Sequence, residues 1–419
     1  MIKRSLISAV DQGMLSALNF AVGLTLMGTV SKQEYGLYVQ LFAAGVLLCG
    51  GIDALVTNAV ANTMSRGHGE RVAVLLGQAQ SVARRLALVL GLVASVVVAA
   101  LLVLTDHPLG HSMGLSAAFA AYVFSLMVRD FKRSSFHLQQ RPERVFQLDG
   151  LFGLLTLAGG AALRWWGALD VVTALGVLAG ANALAVCVTP RAVDDAGPTT
   201  GQRLWSWLEG YWAITRWALP GLATGWVGNN AFLYITGLAL GLAATAELNA
   251  SRLLLMPVTL VTVAWQQMSR ADIAHLVQAG EPRALRWYLN KSLGLMAVVI
   301  TVYVSVLAVS IDGVLALGPF QKYHLARELL VWWTCYAAMY AVKFVGTCAL
   351  VGMEAYKPLL TMSVASMSLQ LMLLAWVPAQ HGAASVVWCM MASELLELTT
   401  VWGFLLPKVL KARMGRRQP

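Results

Sequence analysis

Apolar residues occur in long runs that are separated by short clusters of charged residues, glycine and proline. Each run covers about 20 residues or more, which is the length that an α-helix needs to cross a hydrocarbon core of roughly 30 Å. Strands of membrane β-barrels are only about 10 residues long. The runs therefore predict twelve membrane-spanning helices. They lie at residues 6–30, 35–61, 82–104, 112–131, 145–163, 168–189, 216–240, 245–265, 288–315, 328–352, 359–378 and 383–406.

The composition agrees with a membrane protein, because 58% of the residues are hydrophobic and only 12% are charged, against about 25% charged residues in soluble domains. The five cysteines show no metal-ligand spacing. The chain lacks a phosphate-binding glycine loop, a zinc-protease motif and a nucleophile elbow. We therefore expect an all-α polytopic membrane protein with no enzymatic activity, no cofactor and no metal site, in which uphill transport would draw on an ion gradient.

The basic residues predict the topology. An even number of spans places both termini on one side, and 24 of the 30 Lys and Arg residues fall in the predicted loops and ends of that side, against four on the other. By the positive-inside rule, both termini are cytoplasmic, and residues 6–30 form a retained first span. This distribution accounts for the net charge of +10 without a nucleic-acid partner, because anionic lipid headgroups would meet these residues.

The longest cytoplasmic loop, residues 191–215, contains a Gly-Pro helix breaker followed by several tryptophans. Aromatic residues at helical spacing predict an amphipathic helix in the headgroup region. The loop divides six spans from six. We therefore predict an N-terminal lobe at 1–190, a linker at 191–215, a C-terminal lobe at 216–407 and a basic cytoplasmic tail at 408–419.

Ionisable residues inside spans are costly and need a partner or a water-filled cavity. Lys343 and Glu394 lie near the middle of spans ten and twelve, so opposite charges at one depth predict an ion pair. Glu397 follows Glu394 by three residues on the same helical face and would supply a second acceptor. Two interpretations stay open: a structural pair that holds the lobe together, or a pair that opens on protonation as coupling ions pass.

Three further charged residues are candidates. Arg252 lies in span eight, where it would either extend outward or pair with Glu247. The functional alternative is that its guanidinium meets a phosphate or carboxylate in a central cavity. Asp11 and Asp53 lie toward the cytoplasmic ends of spans one and two. Two carboxylates at similar depth favour proton handling, and exposure to a watery vestibule without coupling is the alternative.

Neutral amides concentrate in or near spans one, two, seven and eight, and include Asn19, Asn58, Asn229 and Asn230. Hydrogen bonds between helices explain some of them. Their concentration in the same four spans fits a hydrated lining in which sugars find hydrogen-bond partners.

Several segments resemble one family of transporters. In the first lobe these are Asn19-Phe20 and Glu34-Tyr35-Gly36-Leu37-Tyr38. In the second lobe they are Gly225 to Asn230, Gly237 to Gly241, and Pro257 leading to Gln266-Gln267-Met268. The chain resembles Wzx-type polysaccharide flippases of the multidrug/oligosaccharidyl-lipid/polysaccharide exporter superfamily.

The resemblance implies a MATE-like fold of two six-helix lobes around a central cavity lined by spans one, two, seven and eight. It implies alternating-access flipping of undecaprenyl-diphosphate-linked oligosaccharide to the outer leaflet of the bacterial inner membrane, driven by H⁺ or Na⁺. Arg252 would meet the diphosphate or an acidic sugar, and Asn19, Asn58, Asn229 and Asn230 would contact the glycan. Other polysaccharide-assembly membrane proteins are candidate partners.

Two alternatives remain. One is a drug/cation antiporter of the same fold, which would favour acidic and aromatic walls over amides and arginine. The other is a membrane glycosyltransferase or polymerase, a class that generally carries a large outer loop with basic and histidine residues. The short predicted outer loops of this chain argue against the second alternative.

Overall fold

The computed structural model describes residues 2–65, 72–104, 109–190 and 204–414, and all regular secondary structure in these ranges is helical. The helices are α1 (Ile2–Thr29), α2 (Lys32–Ile52), α3 (Asn58–Ser65), α4 (Val72–Leu104), α5 (Leu109–Leu138), α6 (Pro142–Trp165), α7 (Val171–Val188), α8 (Leu204–Leu240), α9 (Leu242–Leu253), α10 (Met256–Ala279), α11 (Pro282–Ala316), α12 (Ala326–Gly352), α13 (Tyr356–Trp376), α14 (Pro378–His381), α15 (Ala383–Thr400) and α16 (Leu406–Met414). Two π-helical segments, Asp53–Thr57 and Val401–Leu405, connect α2 with α3 and α15 with α16.

The predicted fold class is confirmed. Within the described ranges, nine helical stretches are long and apolar enough to cross a bilayer, or ten if the bent pair α9 and α10 forms one span. Every predicted span coincides with a helix. The helices at the first and seventh predicted spans, α1 and α8, are not among these stretches, and both carry several polar residues.

The chain forms two compact units, Met1–Ala223 and Thr224–Pro419. The boundary lies within α8, beyond the predicted linker at 191–215. Residues 191–203 of that linker lie outside the described ranges, and 204–215 form the first turns of α8. Of the predicted tail at 408–419, residues 408–414 belong to α16 and the remainder lies outside the described ranges.

The resemblance motif at Glu34 has a capping role. The hydroxyl of Ser31 accepts a hydrogen bond from the Glu34 N–H at 3.2 Å, and the Glu34 carboxylate accepts one from the Ser31 N–H at 2.9 Å. This capping box satisfies two backbone donors at the start of α2. Tyr35 and Tyr38 are buried behind it. This resembling segment therefore lies in the first turns of α2.

Helix α5 extends beyond its predicted end. Lys132 and Arg133 lie beyond the predicted span end at residue 131, but they belong to the helix. The Lys132 ammonium donates to the main-chain oxygens of Val186 and Thr189, both at 2.7 Å. The last carbonyls of a helix have no intrahelical partner and carry the negative end of its dipole. Lys132 therefore caps α7, which explains how a charged residue is buried there.

Span eight is broken, although the hydropathy predicted a continuous helix at 245–265. The axes of α9 and α10 differ by 56° across the break. Pro257 lies in the first turn of α10, where its missing N–H removes no helical bond. The hydroxyl of Tyr303 donates to the Leu254 carbonyl at the break. A proline and a side-chain donor thus stabilise the bend inside the membrane.

Each π-helical segment is accompanied by a tryptophan hydrogen bond. The indole N–H of Trp207 donates to the Leu55 carbonyl at 3.2 Å, inside the first segment. Trp402, in the second segment, donates to the Val342 carbonyl of α12 at 3.0 Å. A π-helix leaves some backbone groups without their usual partners and occurs often at functional sites. Both segments are thereby attached to neighbouring elements of their own unit.

Close packing at Gly346 of α12 gives a first prediction. A Cβ atom at this position would lie 2.6 Å from Cγ1 of Val401, inside the second π-helical segment. Alanine gains roughly 1 kcal/mol of helix propensity over glycine, but overpacking costs about 1–3 kcal/mol. We expect Gly346→Ala to lower the melting temperature in detergent. The matched control is Gly176→Ala, in α7, where a Cβ meets nothing within 4 Å. An equal or higher melting temperature for both variants would contradict the packing argument.

Candidate functional site

Unit 1 contains a buried network centred on Arg133 of α5. One guanidinium nitrogen, Nη2, lies 2.9 Å from the carboxylate of Asp11 in α1, and Nε lies 2.5 Å from that of Asp149 in α6. The two aspartates are 1% and 0% exposed. Helix α1 packs against α6, and α5 packs beside α6, so three helices bring the groups together. An arginine that bridges two carboxylates makes charge-assisted hydrogen bonds to both.

The arrangement of the aspartates differs from the expected one. We expected Asp11 and Asp53 to be neighbours, but Asp11 shares Arg133 with Asp149. Asp53 begins the first π-helical segment and interacts electrostatically with Arg133 and with Asp130 of α5. Helix α2, which precedes Asp53, packs against α5. We call the set Asp11, Asp53, Arg129, Asp130, Arg133 and Asp149 the acid-rich cluster, since four carboxylates accompany two guanidinium groups.

Several polar atoms in and near the acid-rich cluster lack a protein partner. The guanidinium of Arg129 lies over the ring of Phe152, 3.7 Å from its centroid. Its Nε and Nη1 have no hydrogen-bond partner among the described residues, and neither does Oδ1 of Asp11 or of Asp149. A buried polar group without a partner costs about 1–3 kcal/mol. The cluster therefore has donors and acceptors available for a small polar species.

The sequence predicted two amide site residues in unit 1, Asn19 and Asn58. Asn19 and Asn58 are both exposed, and the Asn58 carbonyl accepts a hydrogen bond from the Asn62 side chain at 2.8 Å. Sequence reasoning missed a third amide, Asn182 of α7. It is fully buried and neither side-chain atom has a hydrogen-bond partner among the described residues.

Arg252 of unit 2 lies at the end of α9 against two aromatic rings. Its guanidinium carbon is 5.4 Å from the ring centroid of Phe232 and 5.7 Å from that of Trp333. One nitrogen reaches the Asn229 carbonyl at 3.4 Å. No described carboxylate forms a salt bridge with it. Arg252 therefore forms no salt bridge with Glu247. The carboxylate of Glu247 accepts a hydrogen bond from the Leu325 N–H at 3.3 Å.

Asn229 and Asn230 belong to α8, and the carbonyl of Asn229 is the one that Arg252 contacts. Their side-chain nitrogens donate to the carbonyls of Gly225 and Trp226, at 2.8 and 3.1 Å. Each bond returns to the preceding turn of the same helix. The amide oxygens are not used in these bonds.

Lys343 of α12 contacts both carboxylates that the sequence suggested. Its ammonium lies 2.8 Å from Glu394 and 2.7 Å from Glu397 of α15. All three side chains are largely buried, and their exposed fractions are 12% for Lys343, 7% for Glu394 and 14% for Glu397. The contact is present, and its role in transport stays a prediction.

An aromatic stripe on α12 connects the surroundings of Arg252 with Lys343. Trp333, Tyr336, Tyr340 and Phe344 follow one another at spacings of three and four residues, which places them on one helical face. Successive ring centroids are 5.5, 6.3 and 5.5 Å apart. The Lys343 ammonium lies 5.1 Å from the Tyr340 centroid. This stripe was not predicted, although its spacing is visible in the sequence.

Gln370 of α13 joins the two ends of the unit 2 site. Its amide nitrogen donates to the Gly228 carbonyl at 3.0 Å, next to Asn229. Its amide oxygen accepts from the Ser393 hydroxyl at 3.3 Å, next to Glu394. Gln370 is buried. We define the unit 2 site as the set of these neighbouring residues: Asn229, Asn230, Arg252, the aromatic stripe, Lys343, Gln370, Glu394 and Glu397.

Charged groups buried within the spans of a multi-pass helical protein are typical of membrane transporters. The sequence matches no protein-family profile and no curated protein, but solved structures share the fold. An inward-facing conformation of a multidrug resistance MATE family transporter of the MOP superfamily matches with a TM-score of 0.72 at 12% identity. That match covers 99% of this chain and 100% of the other. An outward-facing conformation of such a transporter matches with a TM-score of 0.65 at 11% identity, over 99% and 96%.

A further match is a MOP superfamily transporter from Pyrococcus furiosus, described as having a binding pocket of reverse polarity that suggests a different function. Its TM-score is 0.62 at 12% identity, over 98% of this chain and 96% of the other. At these identities the similarity establishes the fold alone. The chain has the fold of MATE transporters.

The Lys343 contacts generate the second prediction. Removing one partner of a buried ion pair costs about 3–5 kcal/mol, because the remaining charge is buried without compensation. We expect Lys343→Met to lower the melting temperature strongly and Lys343→Met with Glu394→Gln to recover part of the loss, since one carboxylate is then neutral. Asp312→Asn, which removes an exposed pair with Arg327, should change little. A double variant no more stable than the single one would contradict the electrostatic account.

Proposed function

We propose that this protein is a flippase for polyprenyl-diphosphate-linked oligosaccharide, and that Arg252 binds the diphosphate or an acidic sugar. The observation that carries the proposal is the guanidinium of Arg252, which has aromatic neighbours and one long hydrogen bond but no carboxylate partner among the described residues. A guanidinium has five N–H donors, and its planar fork matches phosphate oxygens. A charge inside a span is costly unless it meets a partner.

The surroundings of Arg252 favour an anionic substrate over a cationic drug. Glu394 and Glu397 are both in contact with Lys343, which offsets one of their two negative charges. The positive charge of Arg252 has no such offset among the described residues. A fixed cation repels cationic ligands and attracts phosphate.

The remaining groups of the unit 2 site fit a glycan. Tyr336, Tyr340 and Phe344 are partly exposed and offer flat apolar faces to sugar rings, while the amides of Asn229 and Asn230 offer hydrogen bonds. Ligand pockets typically combine aromatic walls with a few positioned polar groups. In unit 1, the exposed amides of Asn19 and Asn58 would serve as further glycan contacts.

We assign coupling to the acid-rich cluster of unit 1. Its carboxylates outnumber its guanidinium groups, and Oδ1 of Asp11 and of Asp149 have no hydrogen-bond partner among the described residues. Such a cluster suits a proton or Na⁺, because added positive charge offsets the excess of carboxylates. Asp11 and Asp53 therefore remain the coupling residues of this proposal, with Asp130 and Asp149 added. The Lys343 pair serves as a second candidate for coupling.

The proposal places the protein in a bacterial inner membrane with both termini cytoplasmic, as the distribution of Lys and Arg indicates. Alternating access would carry the substrate to the outer leaflet. Other membrane proteins of polysaccharide assembly would then receive the product.

A second candidate function is a drug/cation antiporter of the same fold. The aromatic stripe favours it, because aromatic faces attract organic cations. The two functions differ in the sign of the substrate charge, so a transport assay with both substrate types separates them.

The third prediction concerns Arg252. Hydrogen bonds to charged groups are worth about 1.5–3 kcal/mol, which corresponds to roughly 10- to 100-fold in rate or affinity. In proteoliposomes, we expect Arg252→Ala to slow the flipping of undecaprenyl-diphosphate-linked oligosaccharide by at least tenfold and Arg252→Lys to retain part of it. Arg327→Ala, at an exposed pair, is the control. Proton-driven transport of a cationic dye without any flipping of the glycan lipid would overturn the proposal.

The fourth prediction concerns coupling. Asp11→Asn removes one negative charge from the acid-rich cluster but keeps a side chain of similar shape. We expect gradient-driven accumulation of product to be lost while exchange without a gradient continues. Glu143→Gln, at an exposed carboxylate in α6, should leave both assays unchanged. If Asp11→Asn retains full gradient dependence, this cluster does not couple transport, and the double variant Lys343→Met with Glu394→Gln then tests the second candidate.

A further inference from the structure

A groove in unit 2 has none of the residues of the unit 2 site in its lining. It opens between α13 and the region where α15 passes into the second π-helical segment, and its volume is about 460 Å³. One wall is formed by Lys357, Thr361 and Ala365, and the other by Leu396, Thr400 and Leu405. Volumes of about 300–1,000 Å³ are typical of ligand sites.

The two walls follow from the helical geometry. Lys357, Thr361 and Ala365 are spaced four residues apart and therefore lie on one face of α13, where small side chains leave room. On the opposite wall, Leu396 and Thr400 are four apart, but Leu405 follows after five. An i to i+5 step keeps a residue on the same face only where the helix is π-helical. The segment Val401–Leu405 therefore continues the apolar wall.

The mouth of the groove carries one cation. Lys357 is exposed, and its ammonium has no salt bridge to a described carboxylate. The residue begins a span at the predicted cytoplasmic surface, where lysine side chains extend to the phosphate level of the bilayer. Charge at the mouth and an apolar interior together match an amphiphile with an anionic head.

We infer that this groove is a binding site for an anionic phospholipid of the surrounding bilayer, with an acyl chain between α13 and α15 and its phosphate on Lys357. The occupant is a bilayer lipid rather than the transported polyprenyl lipid, because the single ammonium of Lys357 matches the one negative charge of a phospholipid headgroup and not the higher charge of a diphosphate. The acyl chain packs against Leu396 and Thr400, which flank Glu397 on α15. A bound lipid therefore stabilises the helix that carries the partners of Lys343.

The test uses the full-length protein in detergent with added phosphatidylglycerol, phosphatidylcholine or undecaprenyl phosphate. Lipid retention is measured by native mass spectrometry, and stability by the melting temperature. We expect phosphatidylglycerol to be retained preferentially and to raise the melting temperature. Lys357→Gln should weaken its retention about fivefold, since a basic residue near an anionic lipid contributes about 1 kcal/mol.

Two matched controls separate the groove from general surface charge. Lys411→Gln removes an exposed cation from α16 and should leave retention unchanged. Ala365→Trp fills the groove and should abolish retention, whereas Val364→Trp, on a different face of α13, should not. Equal retention of phosphatidylcholine, preferential retention of undecaprenyl phosphate, or unchanged phosphatidylglycerol retention in Lys357→Gln would each overturn the inference. If Ala365→Trp does not fold, the Lys357 series decides the result alone.

Discussion

The contact of Lys343 with two carboxylates constrains how the helices of unit 2 pack around it. Charges in the interior of a membrane protein require partners, so α12 and α15 must meet at the register that brings Lys343 to Glu394 and Glu397. One turn farther along α12, Gly346 lets the second π-helical segment approach closely. Trp402 then bonds back to the carbonyl of Val342, next to Lys343. The Lys343 contacts, the close packing at Gly346 and the Trp402 hydrogen bond therefore all lie within about one turn of α12.

The two basic side chains of the unit 2 site have different surroundings, and this difference supports the functional proposal. Lys343 contacts two carboxylates, whereas Arg252 contacts aromatic faces and one carbonyl. The same aromatic stripe lies near both. In unit 1 the balance is reversed, because four carboxylates accompany two guanidinium groups. A lysine between two carboxylates, a cation without a carboxylate partner among the described residues and an acid-rich cluster are three different electrostatic environments, and the proposal assigns structure, anion binding and cation binding to them in that order.

Hydropathy was sufficient to predict the helical membrane fold, and residue depth was sufficient to suggest the contact of Lys343 with Glu394 and Glu397. The partner of Asp11 was missed because a group of charges at a span end resembles a loop, and only packing against α1 and α6 shows that Arg133 is buried. Mean hydropathy does not register the break at Pro257, since both halves are apolar. The π-helical segments have no recognisable sequence signal. The aromatic stripe resembles ordinary core periodicity until its cationic neighbours are known.

Gln370 of α13 shows how hydrogen-bonding requirements restrict the residue type where α8, α13 and α15 meet. Its nitrogen gives a proton to a carbonyl of α8, while its oxygen receives one from a hydroxyl of α15. A hydrocarbon side chain would form neither bond, and a carboxylate would accept from Ser393 but place its second oxygen against the Gly228 carbonyl. The glutamine amide both donates and accepts, so one side chain joins α8, α13 and α15. The polar contacts that run from α8 beside Asn229 to α15 beside Glu394 therefore depend on the directionality of the Gln370 amide.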